Sequence, residues 1–194
     1  MQKPYIPRNY YLEKTLPFIG KDIIKVFMGQ RRGGKSYFLY QIMDVLISRG
    51  VRPDEIIYIN KELQEFAHIR TADDLLAYIK AKKIRKKITP VFIDEIQEVA
   101  GFERALQDLL ACGGYDLYCT GSNANMMSSD LATLLSGRYI PIEISPLSYD
   151  EFLSFHKLAD SDDALLSYIK YGGLPYLIHL ELSDDVAYDY LRAV

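Results

Sequence analysis

The sequence predicts an α/β fold: a central five-stranded parallel sheet with helices on both faces, followed by the start of a helical lid. Three observations predict it. Short, β-branched apolar runs alternate with longer stretches whose apolar residues recur every three or four positions, the pattern of parallel strands covered by crossing helices. A glycine-rich loop separates the first such run from the first helix. Beyond Pro146 the strand pattern stops and only helical periodicity continues.

The elements follow in order. Residues 23–28 are a mostly apolar run ending at Gly29, and residues 36–48 place Phe38, Leu39, Ile42, Met43 and Leu46 at helical spacing. Gly50 supplies a helix stop, and residues 55–59 form a second strand rich in isoleucine. Residues 71–81 predict a helix with Thr71 as N-cap and Asp73 and Asp74 favourable in its first turn. The run 88–93 is apolar apart from Thr89 and Pro90, which marks a central strand covered on both faces, with Pro90 tolerable near its start. A helix at 103–111, a strand at 116–120, a helix at 131–135 and a fifth strand at 139–144 complete the sheet. Helices at 149–155 and 163–169 then lead to the break Tyr171-Gly172-Gly173-Leu174-Pro175, and residues 184–194 form an amphipathic helix that stops without a cap. The expected division is a core over residues 1–146 and a lid region over 147–194, in a chain expected to be part of a longer one.

The 194 residues, 49% of them hydrophobic, suffice for one globular domain. A net charge of −3 excludes a global field that recruits nucleic acid or an anionic membrane. No apolar run approaches the roughly 20 residues of a membrane span, and the first residues lack a signal-peptide core, so a cytoplasmic protein without membrane contact is expected. Cys112 and Cys119 lie in apolar segments and read as buried small hydrophobes of a reduced protein. His68, His156 and His179 show no metal-ligand spacing.

The chemistry concentrates in three places. Gly29-Gln30-Arg31-Arg32-Gly33-Gly34-Lys35-Ser36 fits G-x-x-x-x-G-K-[ST] between a strand and a helix. Backbone N–H groups converge on phosphate oxygens only where no Cβ intrudes, and a helix N-terminus adds partial positive charge. Lys35 is expected to reach the β- and γ-phosphates and Ser36 to ligate Mg²⁺, with Tyr37 closing the binding segment. Val91-Phe92-Ile93-Asp94-Glu95 supplies the metal-side carboxylate, Asp94, and next to it Glu95 as general base for an attacking water. At the fourth strand's end, Thr120-Gly121-Ser122-Asn123 offers Ser122 and Asn123 to orient that water, Asn123 reading equally as a helix N-cap. Arg138, opening the fifth strand, is a candidate finger for transferred charge, or a surface ion pair. Lys80, Lys82, Lys83, Arg85, Lys86 and Lys87 form the basic run; such runs are more often solvated than bound to nucleic acid.

With these motifs in this order, the chain resembles bacterial and archaeal AAA+ ATPases that carry a C-terminal domain of unknown function. Arg8-Asn9-Tyr10-Tyr11-Leu12 is similar to that family's opening Arg-x-x-Tyr-Leu. Pro146-Leu147-Ser148-Tyr149-Asp150-Glu151-Phe152-Leu153 and Tyr171-Gly172-Gly173-Leu174-Pro175 look like two further signatures. The loop departs from the usual form by Gln30 in place of proline and Gly33 at the variable place. The resemblance implies a P-loop NTPase of AAA+ type that binds and hydrolyses ATP with Mg²⁺, in chains about twice as long; Arg138 is expected to act in trans within a homo-oligomer, and the nucleotide state to be coupled to an unknown partner, with DNA or protein engaged through the C-terminal domain as the alternative. Alternatives are a non-hydrolysing ATP switch and, lower, a kinase, for which the region after Pro146 holds only Arg192 as a lid arginine.

Overall fold

Every strand pairing in the sheet is parallel, and the order is β2-β3-β4-β1-β5 for strands β1 (Ile24–Gly29), β2 (Ile57–Asn60), β3 (Thr89–Asp94), β4 (Tyr115–Ser122) and β5 (Tyr139–Glu143). The computed structural model describes residues 5–84, 87–122 and 134–193. Around the sheet stand α1 (Asn9–Thr15), α2 (Lys35–Ser48), α3 (Ala72–Ala81) and α4 (Phe102–Cys112); α5 (Tyr149–His156), α6 (Asp162–Tyr171) and α7 (Asp184–Arg192) follow it.

Strand periodicity sorts the core onto two faces. Val26, Ile59, Ile93, Leu117 and Cys119 pack with Leu75 and Ile79 of α3 and with Leu106 and Leu109 of α4. Their neighbours in sequence, Phe27, Phe92 and Tyr118, point the other way and pack with Phe38, Leu39, Ile42 and Met43 of α2 and with Tyr11 of α1. Phe92 and Tyr118 stack with centroids 4.4 Å apart. All six residues of β3 are buried, as expected of an interior strand, and Pro90 occupies its second position. Thr71 caps α3 in a reciprocal capping box with Asp74, as the sequence predicts.

A smaller cluster of Tyr171, Leu174, Leu177 and Ala187 joins α6, the turn Pro175–His179 and α7. That turn and α1 are absent from the sequence-based expectation, being too short to show a period. The helix expected at 131–135 lies largely outside the described residues. Cys112 is a correction: it closes α4 past Leu109, the last buried position of the apolar face, and is exposed with its thiol towards Asp108; Cys119 is buried as expected. Among the described residues no helix is long and apolar enough to cross a membrane.

Candidate functional site

The glycine loop is shaped by what surrounds it. Gly29 ends β1 at φ +152°, and a Cβ there would meet the Ile144 carbonyl oxygen at 2.1 Å, so no larger residue fits. The Gly33 N–H closes the loop on the Gln30 carbonyl at 3.1 Å. Gly34, left-handed at φ +96°, is the N-cap of α2 without a side-chain cap, which leaves the first-turn N–H groups turned to the loop. Arg32 also takes a positive φ, +62°.

Lys35 is only 5% exposed, and its ammonium donates to the Gly29 and Gln30 carbonyls, each at 3.1 Å. Burial pulls its pKa below the usual lysine value, against the opposing pull of Glu95, Asp94 and Glu62. A buried cation resting on neutral carbonyls at a helix N-terminus suits a polyanionic ligand.

Asp94, at the end of β3, is fully buried. Burial raises its pKa, opposed by hydrogen bonds from Thr120, Ser36 and Tyr58. Thr120 donates to Oδ1 at 2.5 Å and the Tyr58 hydroxyl to Oδ2 at 3.3 Å, with Tyr40 behind Tyr58 at 3.2 Å. Glu95 is turned out of the strand in a left-handed conformation, φ +56° and ψ +54°, and its N–H donates to Thr120 Oγ1 at 2.9 Å. The Gln97 amide donates to the Glu95 carboxylate.

These residues line or back one cavity of about 910 Å³. Arg31, Arg32, Gly34, Lys35, Ser36, Tyr37 and Glu95 line it together with the aromatic and apolar side chains of Tyr5, Ile6, Phe155, Pro175 and Tyr176 and with His179. Tyr37 is 44% exposed and lies edge-on to Tyr40. Among the described residues, the hard oxygens of Ser36 and Asp94 fit Mg²⁺. Among the described residues no group of three or more His, Cys, Asp or Glu could hold a metal ion.

Residues 21–153 match the family described as AAA domain. The chain belongs to that family. An uncharacterised protein of Haemophilus influenzae is 41% identical over 184 residues, covering 92% of this chain and 46% of that protein. Another, of Methanocaldococcus jannaschii, is 31% identical over 208 residues, covering 96% of this chain and again 46% of the relative. The chain thus spans under half the length of these curated relatives. Among solved structures, S. cerevisiae Hsp104 in a casein complex aligns with TM-score 0.58 at 17% identity, covering 91% of this chain and 36% of that one. A DNA polymerase III gamma subunit-related protein from Thermotoga maritima aligns at 0.54 and 10% identity, covering 78% and 49%. Both show the fold, that of a P-loop AAA+ ATPase domain.

Within this AAA domain the expected site residues separate. Gly29, Gln30 and Gly33 build the loop, Lys35, Ser36 and Glu95 share the cavity, and Asp94 stands behind Ser36. Ser122 pairs in register with Gly29 at the end of β4. Asn123 lies outside the described residues. Arg138 is exposed, and its carbonyl accepts from Ile24 N–H at the start of β1. Five strand steps of about 3.3 Å put it roughly 16 Å from Gly29, so it does not reach the loop of its own chain. The described lysines of the basic run are engaged internally: Lys80 with Asp108, Lys87 with Glu55, Lys83 with the Gly113 carbonyl and the Tyr115 ring, and Lys82 over the Tyr78 ring. Arg85 and Lys86 lie outside the described residues.

Sequence reasoning missed Thr120, Tyr58 and Gln97. Thr120 stands in the same quoted segment as Ser122, and strand pairing with β3 was the signal that singles it out. Tyr58 and Gln97 carry no motif.

Proposed function

We propose that this AAA domain binds ATP with Mg²⁺ and hydrolyses its terminal phosphoanhydride bond, with Glu95 as general base. The observation that supports the reading is the convergence of Lys35, Ser36 and Glu95 on one cavity, with buried Asp94 hydrogen-bonded behind Ser36. The loop N–H groups and Lys35 hold the phosphates, and Lys35 exchanges its carbonyl partners for phosphate oxygens. Ser36 and Asp94 would hold Mg²⁺, which would supply positive charge against that developing on the transferred phosphoryl group. Glu95, turned from the strand by its left-handed backbone, takes the proton of the attacking water. The aromatic side chains of the lining receive the base by stacking and apolar contact.

Arg138, too far from its own loop, is assigned to the site of a neighbouring protomer, which makes turnover dependent on a homo-oligomer. A second reading, an ATP switch that hydrolyses little, is favoured by the Gln97 amide, which occupies the Glu95 carboxylate. Coupling to a DNA or protein partner belongs to the longer protein.

The test is ATP hydrolysis per protomer with Mg²⁺ across a range of protein concentrations, with Glu95→Gln beside it. A rate that climbs with concentration and vanishes in the variant supports the ATPase. ATP binding with no rate above the variant supports the switch. Absence of ATP binding rejects both.

A further inference from the structure

Arg8 precedes α1 and carries no part of the phosphate-loop motif, yet its side chain is buried, 6% exposed, where three pieces of the chain meet. Nη1 donates to the Gly33 carbonyl at 3.3 Å and the Ser145 carbonyl at 2.8 Å. Nη2 donates to the Pro146 carbonyl at 3.3 Å and to Glu151 Oε2 at 2.6 Å, and Nε to Glu151 Oε1 at 2.8 Å. The backbone is held as well, Arg8 N–H donating to Gln41 of α2 at 2.9 Å, and the guanidinium lies over the Tyr11 ring at 4.6 Å. One planar fork thus ties the glycine loop, the segment leaving β5 and the first lid helix.

The bond to Gly33 has a direct consequence for phosphate binding. In a trans peptide the carbonyl and the following N–H point in opposite directions, so holding the Gly33 carbonyl fixes the aim of the Gly34 N–H. The bidentate bond to Glu151 fixes α5, whose Phe155 lines the same cavity. The lid meets the core at a second point, where Pro175 lies against Gly34, and within the lid the Leu147 N–H donates to the Gly173 carbonyl at 2.7 Å, which holds the Pro175 turn to the start of α5.

We propose that Arg8 is a positioning residue that couples the lid to the phosphate loop, so that nucleotide in the loop steadies the lid and a docked lid aims the loop. The proposal rests on the ATP-binding reading above. Reciprocity follows from linkage: whatever factor lid docking contributes to ATP affinity, ATP contributes to lid docking.

The experiment compares wild type, Arg8→Lys and Glu151→Gln, each checked for native near-ultraviolet circular dichroism. Arg8→Lys keeps the charge and loses the fork; Glu151→Gln leaves the loop contact intact and removes only the charged grip on the lid, so it remains readable if the buried arginine proves essential for folding. Two quantities are read: the Kd for Mg·ATP by calorimetry, and the rate of tryptic cleavage after exposed Lys157 with and without ATP. Expected are a Kd raised about tenfold in both variants, within the usual range of site-to-site coupling, and ATP-dependent protection of Lys157 in wild type that is lost in Glu151→Gln. Unchanged Kd in both variants, or protection retained in Glu151→Gln, overturns the proposal. Failure of wild type to bind ATP rejects the parent reading instead, and shows before any variant is compared.

Discussion

Thr120 clasps Asp94 from the neighbouring strand, its hydroxyl donating to Oδ1 at 2.5 Å. The same oxygen accepts the Glu95 N–H at 2.9 Å, so one hydroxyl holds both the buried Asp94 carboxylate and the left-handed turn that carries Glu95 to the cavity. Thr120→Val keeps the shape and removes both bonds. The expected cost is about 1–3 kcal/mol of stability, read by urea unfolding, because a buried acceptor and a buried donor lose their partner. Turnover is expected to fall more than ATP affinity; equal losses would mean that the hydroxyl acts on binding alone.

The loop geometry predicts a contrast between two glycines. Gly50 has φ +93° and a Cβ there meets nothing within 4 Å, so Gly50→Ala is expected to cost only the strain of a left-handed alanine, about 1–2 kcal/mol. Gly29→Ala adds a collision with the Ile144 backbone and is expected to cost clearly more, with loss of ATP binding. Equal shifts in denaturation midpoint for the two would contradict the close approach.

The Arg8–Glu151 pair predicts a pH dependence. Burial of Glu151 raises its pKa, but the hydrogen bond from Arg8 and the Ser148 N–H outweigh it and hold the carboxyl below its ordinary value of 4.5. The folded state therefore favours the ionised form, and the pair contributes stability that is fully present above 4.5 and is lost as pH falls through the depressed folded value. The stability advantage of wild type over Glu151→Gln, measured by denaturation from neutral to acid pH, is expected to close below about pH 4.5. A difference constant across that range removes the ionised carboxylate from the account.

A shared site predicts complementation. Arg138→Ala and Glu95→Gln are each expected to lose turnover while binding ATP. Mixed, they form sites in which an intact Glu95 faces an intact Arg138 from a neighbour, and activity is expected to return. A mixture as inactive as its parts would leave Arg138 a surface residue.

Much of the site was legible because its signals are local. The glycine loop, Lys35 and Ser36 occupy consecutive positions, and Asp94 and Glu95 follow an unmistakable apolar strand. The choice between Thr120 and Ser122 was not legible. Both are hydroxyls at the end of β4, and only the register of β4 against β3 aligns Thr120 with Asp94 while Ser122 falls beside Gly29.

By itself the sequence determined the succession of the five strands, the glycine loop and the longer helices of the sheet, and the capping of α3 by Thr71. Each of these depends on periodicity or on the conformational needs of neighbouring residues, which are written within a few positions. The tertiary structure alone decided the strand order β2-β3-β4-β1-β5, which puts β4 between β3 and β1 and so brings Thr120 to Asp94. It also placed Arg138 beside the start of β1, at the opposite end of that strand from the glycine loop. And it joined Arg8 to Glu151 across 143 positions. An arginine and a glutamate so far apart leave no periodic trace, and only the packing of the α1 start, the β5 exit and α5 on one buried point makes them partners.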